Sequence, residues 1–369
     1  MTALISIVAF VALLGILVIA HELGHFWSAR AFKFGVDEFG IGMPPRAWTF
    51  AERNGVKYTL NWLPLGGFVR FTNNDEKGEN ASYGIGSLRE APIVQRIIVL
   101  AAGPAMNLLV AIAILAGLVY SNGKVVYDTG LVVNAVYANS PAAQAGLQAG
   151  DVILRVNNSA EITRDMDIGI IAKENVGTSI PIAILRDAQP LSLQVVPGPW
   201  QSDDGASRVG FGIGYTQRAH TEAIGIGEAV QLGVHQTGVI ALAMLDGLQT
   251  FLKGVLGLAP AVENAGLTGV IGMARGTGEI IDRDGWFGYL NWMALISINL
   301  AIFNLLPIPA LDGSHILFAL IEAIRRKRIP VEREAMVHMA GFVTLMALMV
   351  IVTISDIQGW LNGTSIFGQ

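Results

Sequence analysis

Residues 21–25 read His-Glu-Leu-Gly-His. On a helix, residues four apart share a face, so His21 and His25 can turn their imidazoles to one point with Glu22 beside them. Two imidazoles so placed are a metal-ligand pair. Zinc in such a setting lowers the pKa of a bound water to about 7, and a neighbouring carboxylate can take its proton. His21 and His25 are therefore candidate ligands, and Glu22 a candidate general base. A histidine pair can also be a core or capping feature. Here the pair ends an uncharged run over residues 1–20, and ionisable groups at membrane depth are costly and by default functional.

A catalytic zinc takes a third protein ligand and keeps one position open. The chain has no cysteine, which excludes disulfides and thiolate ligands, so the third ligand is His, Asp or Glu. The other histidines, His220, His235, His315 and His338, repeat no paired spacing. Asp312 is a better candidate, because it follows an uncharged run over 286–311 and an aspartate at that depth demands a partner. Leu245-Asp246-Gly247 repeats its tripeptide without the preceding asparagine and prolines, and Asp246 reads as a polar position on an amphipathic helix. Pro307 and Pro309 break the helix before Asp312, either as a simple kink or as unwound backbone lining a polar cavity. Asn304, at similar depth, can donate to a substrate carbonyl or oxyanion, or serve helix packing.

These residues need apolar elements to carry them. Hydrophobic residues make up 52% of the 369 and charged residues 14%, against about 25% charged in soluble domains; mean hydropathy is +0.52. Runs over 2–20, 97–120, 286–311 and 335–355 are long enough to span a hydrocarbon core. The first lacks a basic n-region and a cleavage site, so it is expected to be retained. Basic residues cluster in 30–96 (Arg30, Lys33, Arg89 and Arg96 among them) and in 325–333, with none before the first run or after 355. The positive-inside rule then puts both termini and the 121–285 region outside. Spans one and three run in the same direction, so His21 and Asp312 reach the same depth. Residues 229–245 are short and interrupted by Gln231, His235, Gln236 and Thr237, and are expected to form an amphipathic, interfacial helix. A crossing there would invert span three and part Asp312 from His21. The net charge of −5, with RRKR at 325–328 as the one dense basic cluster, gives no sign of a nucleic-acid partner.

With HELGH at 21–25 and NLLPIPALDG at 304–313, the chain resembles the site-2 proteases, intramembrane zinc metalloproteases, and most of all their bacterial RseP-like branch. GPAMN at 103–107 and GIGMPPRAWTF…YTLNWLPLGGFVRF at 40–71 also match that layout. The implied fold is a polytopic α-helical membrane protein with four transmembrane helices, a membrane-associated β-hairpin region and an extracytoplasmic α/β PDZ domain. The resemblance implies one catalytic zinc on His21, His25 and Asp312, Glu22 as general base, and Asn304 on the substrate backbone. Within the hairpin run, Pro64 and Gly66-Gly67 are turn signals, and a strand near the site can pair with an extended substrate; Gly66 and Gly67 are expected at that substrate. The chain departs from the family in Asp312-Gly313-Ser314, where Asp-Gly-Gly is frequent, in Ala310, and in having room for one PDZ domain.

That domain is carried by SPAAQAGLQAGDVILRVN at 140–157, with Ser140 capping a helix begun by Pro141, Gly146 and Gly150 at turns, and a closing hairpin over 181–197. It can bind a peptide or a substrate ectodomain by strand addition, or act as a size filter. The expected organisation is 1–30 first span, 31–96 hairpin and loop region, 97–120 second span, 121–200 PDZ domain and 201–285 linker with interfacial helices. It continues with 286–324 as third span, 325–334 as basic loop and 335–358 as fourth span. Within the linker, 266–285 is expected to hold a loop and short helices.

The implied function is endoproteolysis of single-span membrane proteins within the bilayer of the bacterial inner membrane, anti-sigma factors and signal-peptide remnants among them. The competing reading is an inactive scaffold or metal carrier that presents the PDZ domain. A carrier has no use for Glu22 or a substrate hairpin, and a transporter commonly shows two related halves, of which the sequence has no trace.

Overall fold

The computed structural model describes residues 3–72, 88–157, 162, 168–202, 206–255, 257–258 and 269–361. In chain order they form α1 (Ala3–Ala31), β1 (Val36–Arg53), β2 (Val56–Phe71), α2 (Ile93–Asn122), β3 (Lys124–Tyr127), β4 (Leu131–Val136), α3 (Pro141–Gln144), β5 (Val152–Val156) and α4 (Ile168–Glu174). There follow β6 (Ile180–Arg186), β7 (Gln189–Val195), β8 (Gly198–Gln201), β9 (Ser207–Gly210), β10 (Ile213–Thr216), β11 (Ala219–Glu222), α5 (Ile226–Val255), α6 (Val270–Leu305), α7 (Asp312–Arg325) and α8 (Val331–Leu361). Two compact units result, Met1–Ser121 with Gly225–Gln369, and Asn122–Ile224.

In the first unit four helices, α1, α2, α6 and α8, are long and apolar enough to cross a membrane. Their packing follows the helical period. Leu13 and Leu17 of α1 are fully buried against Tyr289, Met293 and Ile296 of α6. The next two positions of that i, i+4 series are His21 and His25, so the face that binds α6 also carries the histidines. On α2 the buried stripe is Val99, Gly103, Asn107, Ala111 and Leu115, again four apart.

Residues 270–284 are helical, where the sequence reads as a loop and short helices over 266–285; 266–268 of that stretch lie outside the described residues. Glycines lower helix propensity in water, which is why the segment reads as a loop. In the fold Gly272, Gly276 and Gly278 are buried, and Gly278 permits close helix contact, since a Cβ there would lie 2.1 Å from Ser6 Oγ of α1. Gly285 alone leaves the helical conformation, at φ 63°, and marks the kink before the apolar half of α6. Helix α5 is longer than 229–245. One face packs on α2 and α6 through Gly233, Ile240, Ala241 and Met244, while Val234, Val239 and Leu242 stay exposed.

Strands β1 and β2 form a hairpin about Asn54-Gly55, both at positive φ, the turn that suits the twist of paired strands. Pro64 and Gly66-Gly67 do not make that turn. They lie within β2, where Gly66 (φ 82°) reverses the chain a second time. Each of Glu38 to Ile41 is thereby registered against one residue of 57–60 and one of 67–70.

The second unit is a five-stranded antiparallel sheet, ordered β10-β4-β5-β6-β7, over a core of Leu131, Ile153, Ile182, Ile184, Val195 and their neighbours. Ser140 caps α3 by accepting from the Ala143 amide, and Gly146 and Gly150 adopt positive φ at the turns that follow. The unit runs past residue 200, the expected boundary. Strands β9 to β11 are four residues each, too short for a periodic signal, and β10 joins the sheet through β4. Buried Asp151 accepts two hydrogen bonds from Arg186 and one from the Gln148 amide, and these partners hold its carboxyl below the usual carboxylate range. The stabilisation is present in full above the unfolded carboxyl's pKa of about 3.9, and is lost as pH falls towards the folded value. Asp151→Asn is expected to lower hydrogen-exchange protection of β4 to β6 at neutral pH and to flatten the loss of protection below about pH 4. Unchanged protection at both pH values would show that the pair contributes nothing.

Candidate active site

Helix α1 presents His21 and His25 on one face, and the loop after α6 delivers Asp312 to them. His21 Nε2 lies 3.0 Å from Asp312 Oδ2, His25 Nε2 lies 3.1 Å from His21 Nε2, and His25 Nε2 lies 3.4 Å from Asp312 Oδ2. Donors bound at zinc's usual distances in tetrahedral geometry stand about 3.3 Å apart, so these three atoms have the spacing of one face of a zinc polyhedron. Both histidines are buried. Two unprotonated imidazole nitrogens 3.1 Å apart repel unless a proton or a cation lies between them.

The surroundings fix which nitrogens face the centre. His25 Nδ1 donates to the Val99 carbonyl of α2 at 2.8 Å, which leaves Nε2 as the lone-pair atom. His21 Nδ1 faces the Asn107 amide at 3.4 Å, and Asn107 Oδ1 is buried without a partner among the described residues. A half turn of that amide brings the orphan oxygen to His21 Nδ1, where it accepts the proton that a metal-binding Nε2 leaves there. An orphaned acceptor beside the one imidazole that needs one fits a metal on the far side of the ring. Ser297 Oγ of α6 donates to the Asn107 carbonyl at 2.7 Å and holds α2 at this level.

The site depends on missing side chains. A Cβ on Gly103 would lie 2.3 Å from His25 Nε2 and 2.8 Å from His21 Cε1. A Cβ on Gly24 would lie 2.2 Å from the Ala102 carbonyl oxygen. The two glycines let α1 and α2 meet directly beside the imidazoles.

Glu22 is half-buried. Gly67 packs on it, with a Cβ there falling 3.0 Å from Glu22 Cγ. Gly66 stands next along the chain against Met43. The 66–70 stretch thus runs beside Glu22. Asn304 is half-buried on the last turn of α6 and makes no hydrogen bond to another described residue, the three ligand candidates included. Asp246 is exposed on α5 and takes no part.

The loop 306–311 sets Asp312. Gly313 is pressed against the carbonyls of Leu305 and Leu306, which a Cβ would strike at 2.4 and 2.2 Å. Ala310 sits at φ 76°, and its amide donates to His338 Nδ1 of α8 at 3.0 Å. Gly341, one turn on, lies against Pro309. His338 belongs to a second group with His315 and Glu334. The two rings stack, with centroids 4.1 Å apart and planes 22° apart. Stacked rings do not aim their lone pairs at one point, so this cluster is a latch on the loop rather than a second metal centre. Sequence spacing singled out neither this cluster nor Asn107. An asparagine in the middle of the apolar α2 was the available signal, since such a group at membrane depth needs a partner.

The sequence matches peptidase family M50 over residues 9–348. A putative zinc metalloprotease of Clostridium perfringens is 33% identical over 97% of this chain and 98% of its own length. A putative zinc metalloprotease of Nostoc is 30% identical over 95% of both chains. The regulator of sigma-W protease RasP of Bacillus subtilis is 30% identical over 96% of this chain and 98% of its own. The chain belongs to peptidase family M50. It is an integral membrane zinc metalloprotease of the site-2 type.

Two variants test the geometry. Gly103→Ala is expected to weaken zinc binding by about 10- to 100-fold with helix content unchanged, the range for losing the support of a metal ligand; normal zinc affinity would mean that α2 does not press on the imidazoles. His338→Asn keeps an acceptor near the Ala310 amide, whereas His338→Leu removes it. The leucine variant is expected to lose zinc faster in chelator competition than the asparagine variant, and equal rates would remove the latch from the account.

Proposed function

We propose that this chain is an intramembrane endopeptidase that cuts the transmembrane segments of single-span membrane proteins. The observation that carries this reading is the meeting of His21 and His25, on the apolar helix α1, with Asp312, just past the apolar helix α6, and with Glu22 alongside. In it the two histidines and Asp312 hold the zinc, and the zinc, when bound, supplies an acidified water and Lewis-acid stabilisation of the scissile carbonyl. Glu22 takes the proton from that water and later returns it to the leaving amine. Gly67 leaves room for the carboxylate. Asn304, with its amide unspent, donates to the substrate backbone. Gly66 and Gly67 run beside an unwound substrate segment, which pairs with the neighbouring strand.

Several further features support finer parts of the reading. The hairpin exposes Trp48, Phe50, Trp62 and Leu63, which suits insertion at a membrane interface. The basic residues of 30–96 and 325–333 argue for both termini, and the 122–224 unit, on the extracytoplasmic side of a bacterial inner membrane. That unit is proposed to be a PDZ domain, on the strength of its antiparallel sheet, the capped α3 and the glycine turns. It either binds a substrate ectodomain or excludes large ones. The name of the Bacillus subtilis relative couples proteolysis to a sigma factor, which suggests membrane-spanning anti-sigma factors as substrates.

The test uses full-length protein in detergent, wild type beside Glu22→Gln and Asp312→Ala, with zinc content and cleavage of a tagged single-span substrate read in the same samples. Glu22→Gln is expected to keep its zinc and lose about 10²- to 10⁴-fold in rate, the usual contribution of a general base. Asp312→Ala is expected to lose zinc as well. A wild type that binds zinc yet cuts none of a panel of spans would leave a metal-binding scaffold as the better description.

A further inference from the structure

Between the start of α2 and the end of α7 lies a cavity of about 460 Å³, away from the catalytic residues. Its walls include Glu90, Pro92 and Ile93 at the head of α2, the buried pair Arg96 and Glu322, and Arg326, Lys327 and Arg328, so that four cations face two carboxylates. The charges are unevenly spent. Glu322 accepts from Arg96 with one carboxylate oxygen, and with the other from the Ile329 amide at 2.8 Å. It is thus unavailable to the three cations that follow α7. Arg328 reaches the Glu90 backbone carbonyl, at 3.4 Å, and among the described residues none of Arg326, Lys327 and Arg328 pairs with a carboxylate.

A basic loop at a helix end satisfies the positive-inside rule and requires no ligand. This one also borders a formed cavity, at the end of a 30-residue helix whose first turn holds no acidic side chain and whose dipole favours an anion. Arg326 lies at φ 51°, a left-handed cap that ends α7 and turns the chain at the cavity wall. Guanidinium groups match tetrahedral oxyanions through paired donors. The helix positions next along carry exposed apolar side chains, Val94 and Ile98 on α2 and Leu320 and Ile324 on α7. A small soluble anion has no use for such flanks, whereas acyl chains do.

We propose that this cavity binds the phosphate of an anionic phospholipid headgroup. Both of its walls lead to the zinc centre. Arg96 precedes by three residues Val99, whose carbonyl orients His25, and Glu322 lies on the helix that opens with Asp312. A headgroup bridging the head of α2 and the end of α7 would fix the two elements that hold His25 and Asp312. The proposal stands independently of the substrate reading above.

Native mass spectrometry of the full-length protein tests it, with phosphatidylglycerol and phosphatidylcholine titrated in competition. Wild type is expected to prefer phosphatidylglycerol by about tenfold or more, given about 1 kcal/mol per basic residue near an anionic headgroup. The triple variant Arg326→Gln, Lys327→Gln, Arg328→Gln should lose that preference while keeping its zinc, which reports on folding. A charge-matched control, Lys173→Gln, Lys253→Gln, Arg283→Gln, should retain it. Equal preference in the triple variant and wild type would remove the site. Displacement of the lipid by glycerol 3-phosphate or inorganic phosphate would overturn the lipid assignment and leave a soluble phosphate as the ligand.

Discussion

Charge at membrane depth is the constraint on which this structure turns. His21 and His25 lie on the apolar helix α1 and Asp312 follows the loop that ends the apolar half of α6, and their polar atoms converge within 3.4 Å. Water cannot solvate them there as it would at a surface, so they must compensate one another around a shared cation. The partners are 291 residues apart in sequence, and the helix packing exists to close that distance. Leu13 and Leu17 seat α1 on α6, and the same face continues into the ligands. The apolar seam and the metal site are one stripe of one helix.

The second helix contributes mainly by what it lacks. Gly103 leaves the space the imidazoles occupy, and Val99 offers a carbonyl rather than a side chain. Gly24 repeats the device from the α1 side of the same crossing, Gly278 does so where α6 meets α1, and Gly313 against the end of α6, each with backbone or a short side chain in the place of a Cβ. In lipid, helices gain little from burying apolar area against one another. Close approach, dispersion and hydrogen bonds hold them instead, which explains why glycines line the contacts nearest the chemistry.

The loop that carries Asp312 shows how an irregular backbone is kept at depth. Two prolines remove amide donors, and Ala310 takes a left-handed conformation. The freed groups find partners inside the loop and on α8, through His338, as unwound backbone away from water must. Helix α8 buries little in this chain, and polar contacts tie it down instead: His338 on the loop, Glu334 on His315 of α7, and Asp356, which accepts from the Gly269 and Gly272 amides at the start of α6.

Features that depend on local period and composition are legible in the chain. The i, i+4 histidines, the lone aspartate after an uncharged run, the four apolar spans and the Ser140 cap can all be read within a few turns of chain. Short strands and glycine-rich helix cannot, because four residues carry no period and glycine reads as a breaker until a neighbour fills its space. That is why β9 to β11 and 270–284 read as linker. It takes the folded chain to show that Gly103 and Asn107 face the imidazoles, that Gly67 lies on Glu22, and that His338 holds the Ala310 amide. Each of these joins segments dozens to hundreds of residues apart, and their spacing in sequence carries no record of which helices come together.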